Sequence, residues 1–506
     1  MARLRFILSS LIICVLLYTF TLSYRYDDIV SVSPTPRVIL AMSVAISEME
    51  YGITGYSGYA KVFKFFEPLW AQAFVNHISL ANIQDEFNTA IEKSLNIEDP
   101  SSDGIHFMYG RNVALADYIK LAFTIFGYEV NSLFYLYFLL FTISVVVFLS
   151  AFYKRSDLLY ILLLVVCSHF VILMAVPFVG GVDLCVASSR FYPVLTVVPT
   201  LHLAFLILRK HKKKAVWVLG ASLQALILAF VIIIRTSAAY QLLFLITVTI
   251  IFNTLWYWKK KRLQIWPLAI TFGAIFLLKV YISIGLHNSY TEVTSQHNFW
   301  HAAYLGIARH PEARNKHGIE GITDSHAYRF VLNQIPSDMG TLDYRFFGGG
   351  TVHSNANGLI QIGGEDYENI IEKEFIKVLK KDPIFVIESY LYKIPQFFTA
   401  YFSSGFYVVN NRPFIWPIFI VILGGALAAK RRYSIKWLLF FVVALEFLFS
   451  LLPSLFLYPM EHLIGDSALV FTLVIYIIFV AIFYYIQYFY WILCGYIISP
   501  KSSITN

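Results

Sequence analysis

Apolar residues run along this chain in long unbroken blocks, without the regular alternation of an element that has one wet face. The blocks fall at 6–22, 131–152, 158–177, 192–208, 215–234, 239–258, 266–286, 414–429, 436–457 and 469–497. Most are near the roughly 17 to 25 residues needed to cross a hydrocarbon core. A helix that is apolar on every side needs lipid or a large protein core around it. The pattern therefore predicts an all-α polytopic membrane protein with ten transmembrane helices. Between them lie two long polar segments, 23–130 and 287–413, which carry Trp70, Trp300 and many Phe and Tyr residues and so predict folded, mixed but mainly helical loops.

The predicted organisation is a first transmembrane helix to residue 22, a first large loop at 23–130, and helices two to seven within 131–286. A second large loop follows at 287–413, then helices eight to ten within 414–497 and a tail at 498–506. In the first loop, "YAKVFKFFEPLWAQAFVNHISLANI" mixes aromatic and polar residues as a helix lying in the membrane interface does, with Lys61 and Lys64 reaching for water. In the second, "YENIIEKEFIKVLKK" has the spacing of an amphipathic helix ending at Lys381, and Pro383 opens a more apolar stretch broken at Pro395. That stretch, 384–405, reads as re-entrant or interfacial, because a further crossing would move the next basic cluster to the outer face.

Composition supports this class, with 58% hydrophobic and 14% charged residues. The net charge of +8 resides largely in short basic clusters: Arg3 and Arg5, Lys154-Arg155, "RKHKKK" at 209–214, "KKKR" at 259–262 and Lys430-Arg431-Arg432. Each follows an even number of predicted spans, so the positive-inside rule places all five in the cytoplasm together with both termini. The first block reads as an uncleaved helix, since no small-x-small cleavage site follows it. No basic soluble domain that would bind nucleic acid is found. All four cysteines, Cys14, Cys167, Cys185 and Cys494, lie in or beside apolar blocks and cannot staple the polar loops.

Charged residues at membrane borders are the first candidates for chemistry. "YRYDDI" sets Asp27 and Asp28 side by side at the outer end of the first block. Two neighbouring carboxylates push each other's pKa values apart, one route to a general base; the plainer reading is a pair of solvated acids at a helix end. Seven of the thirteen histidines fall between His287 and His353, and His297 and His301 share one face of a helix by their i, i+4 spacing. No metal site is expected, because the intervening residues supply no HExxH-type glutamate and no cysteine is near. His297, Trp300, His301 and Tyr304 would form a polar, aromatic surface for a sugar, or else pack the loop. Asp324 in "GITDSHAYRF" and Asp117 in "VALADYI" are further acids with either a site or a structural role. "LYPMEHLIGDSALV" places Glu461, His462 and Asp466 on the outer face, where Asp466 also suits a helix cap. Glu446 falls inside the ninth block, where it marks a functional group or a partner for Lys279.

A first helix followed closely by paired acids in a large outer loop resembles the GT-C class of integral-membrane glycosyltransferases, which includes protein O-mannosyltransferases and lipid A aminoarabinose transferases. The segment "NVALADYIKLAFTIFGYEVNSLFYLYFLLFTISVVVFLSAFYKR" resembles that class's entry into its second span: a short helix, a Phe-Gly turn, then a long apolar helix closed by basic residues. "HNFWHAAYLGIARHPEARNKHGIEGITDSHAYRF" is similar to loops of bacterial relatives of the class. The likeness extends over the whole layout but only about 100 residues at the level of motif.

The resemblance implies transfer of a sugar from a polyprenyl-phosphate carrier to a lipid, glycan or protein acceptor on the outer face of a bacterial plasma membrane, with no cofactor. It gives the general-base role to Asp27 or Asp28, the other orienting the acceptor. The leaving phosphate departs ionised and needs cations. Arg235 in "FVIIIRTSAAYQLL" and Arg190 in "CVASSRFYPV", at the outer ends of spans, are the expected phosphate holders, with simple snorkelling as the alternative. A transporter or lipid flippase is the rival reading, but transporters place their sites near the bilayer midplane, whereas here the polar residues collect at one face. A non-catalytic membrane subunit is the third.

Overall fold

The computed structural model describes residues 113–127, 131–155, 189–208, 215–257, 265–284, 299–319 and 365–393, three strands within 345–361, and scattered helical positions between 41 and 334. The blocks at 6–22, 414–429, 436–457 and 469–497 and the interfacial segment of the first loop lie outside the described residues. So do residues 394–405 of the stretch beyond Pro383.

Helix α1 is Val113–Phe126, and it stops at Gly127, whose positive φ of 92° lets its N–H return to the Phe123 carbonyl at 2.9 Å. Ser132 Oγ donates to the Gly127 carbonyl, and Tyr118 Oη donates to the Leu133 carbonyl at 2.6 Å, so α1 is tied to the start of α2, Asn131–Phe152. This helix, turn and long apolar helix follow the order read from the sequence. A 3-10 helix, Ser189–Thr196, bends at Pro193 and leads into α3, Val197–Leu208, whose side chains are buried from Val197 to Ile207. Then come α4, Ala215–Ile234, a second 3-10 turn at Thr236–Ala239, α5, Tyr240–Tyr257, and α6, Trp266–Ile284.

Among the described residues three helices are long and apolar enough to cross a membrane, Ser132–Phe152, Ala215–Ile234 and Trp266–Ile284; Tyr192–Leu208 and Tyr240–Ile250 are shorter apolar helices. Twenty helical residues extend about 30 Å, the thickness of a hydrocarbon core. Helix α4 is central, packing on α1, α2, α3 and α6. Between α2 and α4 the apolar interior holds a reciprocal polar clamp: Ser144 Oγ donates to Gln224 Oε1, and Gln224 Nε2 donates to the Ser144 carbonyl, each at 2.7 Å. Such interhelical bonds contribute about 0.6 to 2 kcal/mol in lipid and fix rotation as much as stability. Helix α6 buries Pro267 and Thr271 and exposes Phe272, Phe276, Leu277, Tyr281 and Ile284, as a helix bordered by lipid would.

Ring contacts set the direction of the helices. Tyr192 meets Tyr118 at 4.7 Å and Tyr137 at 6.3 Å, and Phe230 meets Tyr118 at 6.1 Å, so the starts of α1, α2 and the first 3-10 helix join the end of α4 at one pole. Phe152 meets Phe205 at 6.2 Å and Trp217 at 6.0 Å, so the end of α2, the end of α3 and the start of α4 form the other. Lys154 and Arg155, just past the end of α2, stand at this second pole, where α3 ends and α4 begins.

The second polar segment builds a helical unit of its own: α7, Phe299–Ala308, α8, Ala313–His317, α9, Glu365–Lys381, and α10, residues 383–393. Tyr367, Ile371, Phe375 and Val378 form the buried stripe of α9 and pack against Ala303, Tyr304, Ile307, Ala327 and Val331. Helix α9 ends at Lys381 as its pattern predicts, and Asp382 caps α10 by accepting from the Phe385 N–H at 3.0 Å, with Pro383 in the first turn. Helix α8 ends at Gly318, with φ 68° and its N–H on the Arg314 carbonyl. One element was not foreseen: Arg345–Phe347, Gly350–Asn355 and Gly358–Gln361, β1 to β3, pair in sequence order as an antiparallel meander. Two residues separate the facing strand ends each time, and the glycines of "FFGGGTV" are the signal that points to the first hairpin.

Candidate functional site

Of the expected site residues, Asp27, Asp28, His297, Asp324 and His462 lie outside the described residues, as do Arg25, Glu446, Glu461 and Asp466. Arg190 is the second residue of the first 3-10 helix, and Arg235 lies between α4 and the second. These two 3-10 helices touch, and the first also packs on α4. The backbone thereby carries both arginines to one pole of the bundle, opposite the end of α2. Arg235 is half-buried; its N–H closes the last turn of α4 on the Val231 carbonyl, and its carbonyl accepts from Ala238. Asp117, also half-buried, comes to this pole because its neighbour Tyr118 touches Tyr192 and Phe230. Tyr118, Tyr137 and Tyr192, all essentially buried, make a rigid aromatic floor under the arginines' elements.

The other expected residues lie in the helical unit of the second segment. Tyr304 is 1% exposed and stacks on Phe330 with centroids 5.5 Å apart; burial raises its hydroxyl's pKa well above the ordinary tyrosine value. His301 is 8% exposed, and its Nδ1 lies 2.7 Å from Tyr367 Oη. Trp300 is partly buried against Phe375. The main-chain N–H groups of Trp300 and His301 donate to the Glu368 carboxylate, at 2.9 and 3.3 Å. A carboxylate from α9 therefore caps the N-terminus of α7, where unpaired donors and the helix dipole favour negative charge. In this arrangement the Tyr304 and His301 side chains are buried within the unit. Among the described residues no three His, Cys, Asp or Glu side chains converge as metal ligands would.

Sequence reasoning passed over a second polar cluster. Past the end of α7, the His310 ring packs on Phe385 at 5.0 Å and Tyr392 at 5.2 Å, the His317 ring packs on Phe385 at 4.6 Å, and His317 Nε2 lies 3.6 Å from Asp382 Oδ2. Lys393, at the end of α10, is buried. Its signal was a lysine inside the apolar run "IFVIESYLYKIPQFF". Comparison with protein-family models, curated proteins and solved structures finds no match to this chain.

Proposed function

We propose that this protein is an integral-membrane glycosyltransferase of the GT-C kind, moving a sugar from a polyprenyl-phosphate carrier to a lipid, glycan or protein acceptor at the outer face of a bacterial plasma membrane. The observation that carries the reading is the polar asymmetry of the helix bundle. Arg190 and Arg235 sit on packed elements at one pole, and Lys154-Arg155 follows α2 at the other. The sequence adds two adjacent acids, Asp27 and Asp28, after an apolar block whose outer end belongs to the arginine pole on the ten-span topology. In the reaction, Asp27 or Asp28 takes the acceptor's proton as its oxygen attacks the anomeric carbon. The bond from that carbon to the phosphate oxygen breaks, and the electron pair leaves with the polyprenyl phosphate, held by Arg235 and Arg190. The helical unit of the second segment lies in the membrane interface, which accounts for the exposed apolar side of α10 next to the exposed Lys380 and Lys381.

The test is transfer of labelled sugar from a polyprenyl-phosphate donor in membranes containing Asp27→Asn, Asp28→Asn or the double variant at equal protein level. At least one single variant should lose about 100-fold or more, the scale of a general base. Full transfer by all three would remove the catalytic role from the acidic pair.

A further inference from the structure

Helix α10 buries Phe385 and Val386 against the unit and, at its end, a cation. Its outer side exposes Ile384 (66%), Ile387 (59%) and Leu391 (57%), while the side against the rest of the unit buries Lys393, which is 1% exposed. Drawing an ammonium into the interior of the unit is unfavourable unless its charge is met. The Lys393 Nζ lies 4.2 Å from the centre of the Tyr390 ring, and among the described residues no hydrogen-bond acceptor reaches it. A ring face offsets part of a cation's lost hydration but supplies no counter-charge.

A second cation stands beside it. Arg309 directly follows α7, and three contacts hold that corner against α10. Tyr390 Oη donates to the Ala303 carbonyl at 3.3 Å, and the His310 ring packs on Phe385 and on Tyr392. Burial first, and then the charge of Arg309, pull the Lys393 ammonium down to about 7. Protein side chains of this corner thus bring two positive groups together and give the ammonium no acceptor. A guanidinium presents a planar fork of donors and an ammonium a compact point charge, a pair that matches the oxygens of a tetrahedral anion.

We propose that Lys393 and Arg309 form a binding site for a phosphate-type anion in the corner between α7 and α10. The anion accepts from the ammonium and offsets its charge, so its binding stabilises the packing of α10 on α7. The inference stands on this corner alone and does not depend on the transfer reaction. Free phosphate and the phosphomonoester headgroup of a lipid share the chemistry, and α10's exposed aliphatic side leaves both routes to be compared.

The full chain in phosphatidylcholine nanodiscs is heated with increasing inorganic phosphate, and separately in discs that also contain phosphatidic acid, beside Lys393→Met. In parallel, acetylation of Lys393 in the wild type is followed by mass spectrometry, with the exposed Lys377 as internal reference. In whichever arm supplies the anion, the wild-type melting temperature should rise with dose, and at ten times the dissociation constant Lys393 acetylation should slow about tenfold. Lys393→Met should show no anion-dependent rise. A response to inorganic phosphate identifies a soluble ligand; a response confined to phosphatidic acid identifies a lipid headgroup. Acetylation that neither arm slows overturns the site, and so does a Lys393→Met protein that responds as the wild type does. The acetylation readout uses the wild type alone and decides the matter if the variant does not fold.

Discussion

Glu368 has a structural role that its position on an amphipathic helix does not suggest. On α9 it falls beside Tyr367 in the buried face, and its carboxylate receives two main-chain N–H groups from the start of α7. Removing it leaves both donors without that acceptor, at a cost of about 1 to 3 kcal/mol for an unsatisfied buried group. Glu368→Ala should therefore speed hydrogen exchange of amides 299–308, whereas Glu372→Ala, one turn on and more exposed, should leave them as they are; equal exchange in both would remove the capping role. His301 and Tyr304 illustrate the same limit of one-dimensional reading. A His, a Trp and a Tyr within five residues suit a sugar surface or a packed helix equally well, and nothing local in the sequence says that Tyr367 and Phe330 lie against them.

At the scale of elements, the boundaries of α2 and α4 coincide with the apolar blocks 131–152 and 215–234, because uniform apolarity and its polar ends are both local properties of the chain. The α9 to α10 junction was equally legible, since Pro383 cannot continue the hydrogen-bond ladder of α9 but suits the first turn of a new helix. The turn from α1 to α2 depends on Gly127 at φ 92°, where an added Cβ would meet nothing within 4 Å. Any penalty there comes from the backbone conformation. Gly127→Ala should cost about 1 kcal/mol and raise exchange at the α1 C-terminus, with the Tyr118 hydrogen bond to Leu133 weakened; unchanged exchange through 121–127 would show that the turn tolerates an L side chain. The meander at 345–361 escaped notice because its strands are short and its polar and apolar residues do not alternate cleanly along them.

For the whole molecule, the helix directions make a topological prediction. With the native cysteines replaced, Lys154→Cys and Lys212→Cys should react with an impermeant maleimide only after cells are permeabilised, and Thr236→Cys should react in intact cells. Labelling of all three from the same side would contradict the two poles set by the Tyr192 and Phe152 ring contacts. The sequence by itself determined that long apolar helices form at 131–152, 215–234 and 266–284, because helix length and apolarity are read residue by residue in a solvent that tolerates only satisfied backbone. Tertiary structure alone decided that Ser144 meets Gln224, that Glu368 caps α7, and that Lys393 is drawn inward beside Arg309. Each joins residues tens of positions apart, and no local periodicity encodes which face of one helix another will cover.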